Sequence, residues 1–152
     1  MTYIRLGWTK FWLQRAGLSR FGRIAAWLAS LFTPPYKARV ALARLTPKGY
    51  ISPFAAIPHD DVRFGKNVYI GDRVTIYKTR DGGHVPLDDL VALYGDIIIE
   101  TFKNGTVQIG EETHIQPSCS RAGCKSSVII GNRVYIGSNC AFYPNNHEKK
   151  IG

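Results

Sequence analysis

Large hydrophobic side chains recur at every sixth residue over much of the chain. In residues 128–142 they fall at Ile130, Ile136 and Phe142, and a glycine directly follows the first two. This period fits neither a helical turn of about 3.6 residues nor the simple alternation of a strand. It is typical of a parallel β-helix, in which each repeat supplies one short strand and one corner. The same spacing occurs earlier, at Phe64, Ile70, Ile76, Ile109 and Ile115.

A small or β-branched side chain stands two residues before each of these anchors, as Val134 stands before Ile136. Residues two apart share one face of a strand, so each repeat is predicted to point a pair inward. The glycine after an anchor is expected at a tight corner because it tolerates positive φ. Three repeats would form one coil, and Ile51, Ala55 and Ile57 would belong to the first. The residues predicted to face outward are Tyr69, Thr75, His114 and Tyr135.

Breaks in the period predict loops between repeats. Ile70 and Ile109 are separated by two such coils and a few extra residues, and Ile130 follows after one more interrupted coil. We therefore predict loops over residues 77–94 and 118–127.

The three cysteines do not form a disulfide framework. Cys119 and Cys140 take inward small positions, so we expect them to stack in adjacent coils as core residues. Cys124 lies in the second predicted loop, and its spacing from Cys119 is not a zinc motif. Reduced thiols and a cytoplasmic location are the simplest interpretation.

The first 49 residues follow a different pattern. Apolar side chains spaced by three and four predict one bent or two short amphipathic helices within residues 8–32, with a break near Gly17. Two prolines end this pattern, and a further short helix is predicted over residues 36–45. Nine of the twenty Lys and Arg residues precede residue 51, and no acid does. The net charge of +9 therefore belongs to this basic amphipathic helical segment.

Two interpretations of residues 1–49 remain open. In one, the apolar stripe caps an open end of the β-helix. In the other, the segment lies in the plane of an anionic membrane, with aromatic side chains inserted and arginines on lipid phosphates. The longest apolar run, 24–32, is much shorter than the roughly 20 residues of a bilayer span. Recurring arginines argue against a secretory signal, and nucleic-acid binding is disfavoured because no recognised binding module is present.

Residues 50–152 resemble the hexapeptide-repeat acyltransferases, which include galactoside, maltose, xenobiotic and many polysaccharide acetyltransferases. The resemblance rests on the repeats that begin at Ile70, Ile109, Ile130 and Ile136, followed by Asn-Asn-His at 145–147. It implies an all-β fold class: a left-handed parallel β-helix of hexapeptide repeats, against the usual right-handed crossover rule. Members of the family continue with further coils, so residues 50–152 are expected to be a C-terminally incomplete acyltransferase domain.

The resemblance also implies an activity and a site. The family carries its catalytic histidine in a short Asn-His or Thr-His element just after such a repeat, and His147 matches that position. Acyl transfer to a hydroxyl needs a base with a pKa near neutrality, which a histidine supplies. We expect His147 to be that base, Asn145 and Asn146 to orient the acceptor, and Glu148 to hold the imidazole.

The expected reaction moves an acetyl group from acetyl-CoA, as co-substrate, to a hydroxyl of a sugar or polysaccharide precursor. No tightly bound cofactor and no metal are expected, and the residues that bind coenzyme A are not assigned. N-acetylation of an amino sugar and a longer acyl donor remain open. The resemblance further implies a homotrimer with active sites between subunits, for which Tyr69 and Tyr135 would be available. The enzyme is expected to be cytoplasmic, either free or peripheral on the inner face of the membrane.

Two other functions are compatible with a β-helix. One is a non-catalytic, membrane-attached scaffold for a larger assembly. The other is a γ-type carbonic anhydrase, which needs three histidines on zinc with a close pair on one strand face. The four histidines are each more than 20 residues apart in the sequence, which disfavours the second alternative.

Overall fold

The computed structural model describes residues 3–79, 83–102, 105–123 and 127–142, without the side chains of residues 121–123. Helices come first in the chain and strands follow. The helical elements are α1 (Tyr3–Leu13), α2 (Arg20–Ser30), a 3-10 turn (Tyr36–Arg39) and α3 (Val40–Ala43). The strands within these ranges are β1 (Tyr50–Ile51), β2 (Val62–Phe64), β3 (Tyr69–Ile70), β4 (Thr75–Lys78), β5 (Val85–Leu87), β6 (Ala92–Leu93), β7 (Ile98–Thr101), β8 (Val107–Ile109), β9 (His114–Ile115), β10 (Ser120–Gly123), β11 (Val128–Ile130), β12 (Tyr135–Ile136) and β13 (Ala141–Phe142).

The strands form a parallel β-solenoid with three sheets. The first sheet has the order β1-β3-β6-β9-β12, the second β4-β7-β10-β13 and the third β2-β5-β8-β11. From β2 onward the chain visits the third, first and second sheets in a constant rotation, so each strand pairs with strands one coil away. Residue Ala56 bridges to Thr75, and the first coil thereby also reaches the second sheet.

The core is built from ladders of aligned inward side chains. In the first sheet, strand register stacks Ile70 on Leu93, Leu93 on Ile115 and Ile115 on Ile136. The first three of these side chains are fully buried, and burial of each contributes about 1.5–3 kcal/mol. The predicted inward pairs therefore lie in one continuous core, together with Ala55 of the first coil.

The interpretation of residues 77–94 as one protruding loop is wrong. Strands β5 and β6 lie inside that range, and Val85, Leu87 and Leu93 are buried in the core. Leu87 pairs with Ile109 in the third sheet, whereas Leu93 pairs with Ile70 in the first. Because this coil was overlooked, the sequence spacing wrongly aligned Ile70 with Ile109.

The second predicted loop, residues 118–127, is also partly wrong. Strand β10 occupies Ser120–Gly123 and pairs with both β7 and β13. Cys119 directly precedes this strand, is buried, and donates its thiol hydrogen to the carbonyl of Gly137 at 3.1 Å. Cys119 and Cys140 lie in adjacent coils with free thiols, as predicted, but Cys140 is only half-buried. Cys124 is outside the described residues.

Glycine follows the anchors for a different reason from the one predicted. Gly71 does not have a positive φ, but a Cβ at that position would lie 2.9 Å from the carbonyl carbon of Tyr94 in the next coil. Close backbone approach between coils therefore requires the glycine. The left-handed conformation belongs instead to the third residue after an anchor. These residues are Asn67, Arg73, Leu90, Asp96, Glu112, Ser118, Arg133 and Asn139.

Burial decreases in the last described coil. Ile136 is buried and Tyr135 is exposed, as the repeat predicts. Val134 and Cys140 were expected to be buried but are only half-buried. Among the described residues, their strands β12 and β13 pair on one side only, with β9 and β10. The inward side chains are therefore covered from one direction.

Of the one bent or two short helices predicted for residues 8–32, the structure has two, with a break between Leu13 and Arg20 that contains Gly17; the first begins earlier, at Tyr3. They pack on the outer face of the first sheet rather than only on an end of the solenoid. The apolar contact joins Leu13, Ala29, Leu42 and Ala43 to Tyr50, Tyr69, Ala92 and Tyr94.

Polar contacts hold the helical segment to the solenoid. The Arg23 guanidinium donates to the Pro53 carbonyl at 2.9 Å, and Arg39 lies 3.4 Å from the Asp72 carboxylate. The Asn67 amide donates to the carbonyl oxygens of Ala43, the last residue of α3, and of Thr46. None of the described helices is long and apolar enough to cross a bilayer.

Two matched glycine substitutions test the stacking of the coils. In Gly71→Ala the new methyl group meets the backbone of the next coil, so we expect a loss of about 1–3 kcal/mol in the free energy of unfolding. In Gly131→Ala, at the same place in its repeat, the methyl group meets no described atom within 4 Å. That substitution is expected to change stability by less than about 0.5 kcal/mol. Urea denaturation measures both, and equal losses would contradict the assigned register.

Candidate functional site

The three corners of the solenoid differ in length and regularity. The corners that lead from the third sheet to the first, and from the first to the second, each contain a left-handed residue and are short. The connections from the second sheet to the third differ in length: they span 58–61, 79–84, 102–106 and 124–127, and the structure describes part of these ranges. We call these connections the variable corner. Loops that vary over a regular scaffold commonly carry function.

In the sequence, the predicted catalytic residues come after a strand of the second sheet, at the point where earlier coils enter the variable corner. Strand β13 ends at Phe142 in the second sheet, and the chain leaves earlier strands of that sheet for the variable corner. Asn145, Asn146, His147 and Glu148 themselves lie outside the described residues. Their side-chain geometry is therefore not part of the site that the described residues form.

Within the described part of the corner, the side chain of His59 is buried and makes two hydrogen bonds. Its Nδ1 accepts the backbone N–H of Asp61 at 3.0 Å, which assigns the ring hydrogen to Nε2. Nε2 then donates to the Thr101 hydroxyl at 2.9 Å. Burial lowers the pKa of His59, although neighbouring Asp60 opposes that shift. A neutral imidazole in this position holds two coils together.

Asp61 connects this histidine to a second one. Its backbone N–H donates to His59, whereas its carboxylate accepts a hydrogen bond from Nδ1 of His84 and lies 3.6 Å from the Arg63 guanidinium. Unlike His59, the side chain of His84 is largely exposed. An exposed imidazole whose other nitrogen is held by a carboxylate is suited to proton transfer. Sequence reasoning missed this pair because His84 had been placed in the predicted loop of residues 77–94.

A second ion pair lies at the same corner. Lys78 Nζ is 2.5 Å from Asp60 Oδ2, and this hydrogen bond lowers the pKa of the Asp60 carboxyl group. Thr79 donates to the Glu100 carboxylate at 2.8 Å. The polar side chains of the first two corner connections are thus bonded to one another.

His114 lies on the outer face of the first sheet and was expected to be solvated. It is half-buried, and its ring stacks on Tyr135 with centroids 4.7 Å apart. Burial is the largest cause of its lowered pKa, with a smaller contribution from Arg44. Tyr69 belongs to the same outer face but is covered by the helical segment. Its expected role in a subunit interface is therefore wrong for the described arrangement, whereas Tyr135 remains exposed.

A cavity lies elsewhere in the described part of the molecule. Its volume is about 600 Å³, and it lies where the loop between α1 and α2 meets the first coils. Leu18, Ile51 and Phe64 form apolar walls, with Lys48 and Lys66 among the lining residues. No three His, Cys, Asp or Glu side chains are grouped as metal ligands in the part of the chain that the structure describes.

No family model, curated protein or solved structure matches the chain. The interpretation of the site therefore rests on the residues and their geometry.

The buried His59 predicts a dependence of stability on pH. Its folded-state pKa is lowered, so the unfolded chain takes up a proton first as the pH falls. The contribution of His59 to the free energy of unfolding is fully present above the ordinary histidine pKa of about 6.5. It is lost as the pH falls through the lowered pKa of the folded state. We expect the free energy of unfolding to decrease between about pH 7.5 and pH 5.

His59→Asn should reduce that decrease, and the remainder would come from His114, whose pKa is also lowered. Urea titrations at the two pH values measure the wild-type and His59→Asn proteins. An unchanged dependence in His59→Asn would contradict the assignment.

Proposed function

We propose that this protein is an acyl-CoA-dependent O-acetyltransferase that moves an acetyl group from acetyl-CoA to a hydroxyl of a sugar or polysaccharide precursor. One observation carries the proposal: the chain forms a parallel β-solenoid, and Asn145, Asn146 and His147 follow the last described strand of its second sheet. This order of elements is the one on which the resemblance to the hexapeptide-repeat acyltransferases rests.

The proposal includes a left-handed winding and a hexapeptide repeat. Aligned inward side chains support the repeat, because Leu87, Leu93 and Ile99 occupy successive strands at intervals of six residues. The regular corners support it as well, since their left-handed residue always stands three places after an anchor. Both features are also present in the coil of β5 and β6, which the sequence analysis had interpreted as a loop.

In the proposed reaction, His147 removes the proton of the acceptor hydroxyl as the oxygen attacks the thioester carbonyl carbon. A carbon–oxygen bond forms, and the carbonyl oxygen takes the negative charge of a tetrahedral intermediate. A hydrogen-bond donor stabilises this charge. When the intermediate collapses, the carbon–sulfur bond breaks and the thiolate of coenzyme A takes the proton from the imidazolium. The thioester is already activated, so no covalent enzyme intermediate and no metal are needed.

The neighbours of His147 have supporting roles in this proposal. Asn145 and Asn146 have amide donors and acceptors, with which they would position the hydroxyl groups of the acceptor. Glu148 would hold the imidazole in the tautomer that accepts a proton. Acetyl-CoA is a co-substrate, and no resident cofactor is proposed. The enzyme is proposed to be a cytoplasmic homotrimer, either free or peripheral on the inner face of the membrane, with the exposed Tyr135 near a subunit contact.

One observation favours a second candidate function. The described polar side chains of the variable corner, His59, Asp60, Asp61 and His84, are all bonded to neighbouring residues of the corner. Such bonding is what a structural corner requires. A non-catalytic, membrane-attached scaffold therefore remains the alternative, and absence of acetyl transfer would favour it.

Replacing His147 tests the proposed base directly. Loss of a general base typically lowers the rate by about 10²–10⁴, so His147→Ala should lower kcat by that order. Donor binding should change little, because the imidazole acts on the proton of the acceptor. The measurement is release of free coenzyme A by the full-length protein with acetyl-CoA and a panel of sugar acceptors.

Two histidine variants provide matched controls. His114→Ala alters an imidazole on a different face and should retain turnover near wild type. His84→Ala removes the exposed imidazole held by Asp61. If His84→Ala abolishes turnover while His147→Ala retains it, the base belongs to the described part of the variable corner and the assignment of His147 is wrong.

A further inference from the structure

The helix α2 is packed with its small side chains inward and its large ones outward. Gly22, Ala25, Ala26 and Ala29 are buried against the rest of the molecule. Phe21, Ile24 and Trp27, which a soluble helix would normally bury, are 48–59% exposed. A solvated helix normally has the opposite arrangement, with its apolar stripe toward the core.

The helix α1 continues the same exposed surface. Tyr3 and Ile4 are more than 80% exposed, and Phe11 is about half exposed. Trp8 joins the helices, because its indole N–H donates to the Leu28 carbonyl at 2.9 Å and its ring lies 6.4 Å from that of Phe32. We define the apolar face by six exposed side chains of the two helices: Tyr3, Ile4, Phe11, Phe21, Ile24 and Trp27. Exposed apolar surfaces of such extent mark binding sites.

Positive charge surrounds this face. The guanidinium of Arg15 lies 3.7 Å from the centroid of the Phe11 ring, and that of Arg5 lies 5.5 Å from the Phe32 ring. Lys10 and Arg20 are also exposed on these helices. The first 50 residues contain nine Lys or Arg and no Asp or Glu, whereas the remainder has eleven of each. Any occupant of the apolar face therefore meets basic side chains at its edge.

From this arrangement we propose that the apolar face of α1 and α2 binds the surface of an anionic lipid bilayer. Tryptophan, tyrosine and phenylalanine are the side chains that enter the interfacial layer, and the surrounding basic residues meet lipid phosphates. Each helix of 11 residues is roughly 16 Å long and would lie in the plane of the membrane. A second copy of the chain is the less suitable occupant, because two such basic surfaces repel each other.

The inward side of the segment makes this binding surface rigid. The contacts of Arg23 with Pro53 and of Arg39 with Asp72 attach the helices to the solenoid. Leu13, Ala29 and Leu42 pack on the outer face of the first sheet. The apolar face is thus formed before binding, with the helical layer between the bilayer and the first sheet. The cap and membrane interpretations of the segment are compatible, since they use opposite sides of it.

Vesicle sedimentation with the full chain tests the proposal. The probes are vesicles of phosphatidylcholine alone and of phosphatidylcholine mixed with phosphatidylserine. We expect binding to the mixed vesicles that weakens as salt is added, because the attraction of basic residues to lipid is screened. All three tryptophans of the chain lie in this segment, so a blue shift of intrinsic fluorescence should accompany binding.

Matched substitutions locate the binding surface. Phe21→Ser combined with Trp27→Ser should weaken partition at least about tenfold, since two inserted aromatic side chains are lost. Ile129→Ser removes a side chain that is 71% exposed on the solenoid and should leave partition unchanged. Arg20→Glu should weaken binding about tenfold. Its control is Arg133→Glu, at a corner position that Glu112 already occupies one coil earlier.

The alternative outcomes are distinct. Equal, salt-independent binding to both vesicle types would overturn the anionic-lipid proposal. So would unchanged partition in the Phe21→Ser, Trp27→Ser variant. If the protein ignores vesicles but sediments as an oligomer that this variant dissociates, the face binds a second copy and the proposal is wrong. Unchanged thermal unfolding of the variants would show that the fold is intact. Acetyl transfer is not measured, so failure here leaves the proposed function untouched.

Discussion

The coils of the solenoid depend on backbone hydrogen bonds to the coils next to them. In the first sheet, the N–H of Tyr69 donates to the carbonyl of Val91, and the N–H of Ala92 donates to that of Thr113. Short strands of two to four residues cannot form a stable sheet within one coil. Their stability comes from stacking, which also aligns the inward side chains into ladders. The positions of the core, the corners and the helical layer all follow from this stacking.

The stacking restricts the backbone conformation of two corners more than that of the third. At two of them, a left-handed residue reverses the chain and a glycine allows coils to approach closely, as Gly71 does beneath Tyr94. In the variable corner no described residue has the left-handed conformation, although Gly83 approaches the Gly105 backbone closely, and the connections change length from one coil to the next. Chemistry is therefore most easily accommodated there. The buried His59 and exposed His84 illustrate two uses of one residue type, the first structural and the second available for proton transfer.

The helical segment shows how close packing decides which side chains remain outside. α2 approaches its neighbours through Gly22, Ala25, Ala26 and Ala29. Only small side chains fit such an approach, so the bulky residues of the same helix point away. The helix consequently stabilises the solenoid with one side and presents aromatic residues with the other. A helix that packed through its large side chains would have covered the first sheet equally well without exposing an apolar surface.

The sequence alone determined the features that repeat with a simple period. The spacing of Ile130, Ile136 and Phe142 predicted parallel short strands, and the alternation around Tyr135 predicted which side chains face outward. The spacing of three and four in the N-terminal segment predicted helices with a bend or break near Gly17, and the structure has two helices separated there. These features are local, because neighbouring residues on one face are buried or exposed together.

Tertiary structure decided what depends on the adjacent coil or on the helical layer. The coil through Val85 and Leu93 was hidden because Asp88 and Tyr94 follow its anchors in place of glycine. Burial of these side chains becomes evident only when neighbouring coils stack on both sides. Tyr69 faces outward from the sheet, as expected, but the helical layer packs over it and buries it. The sequence pattern of the strand does not contain that contact. The pairing of His59 and His84 through Asp61 likewise arises from stacking. Residues far apart in sequence meet there because each coil returns the chain to the same corner, and that return requires the folded solenoid.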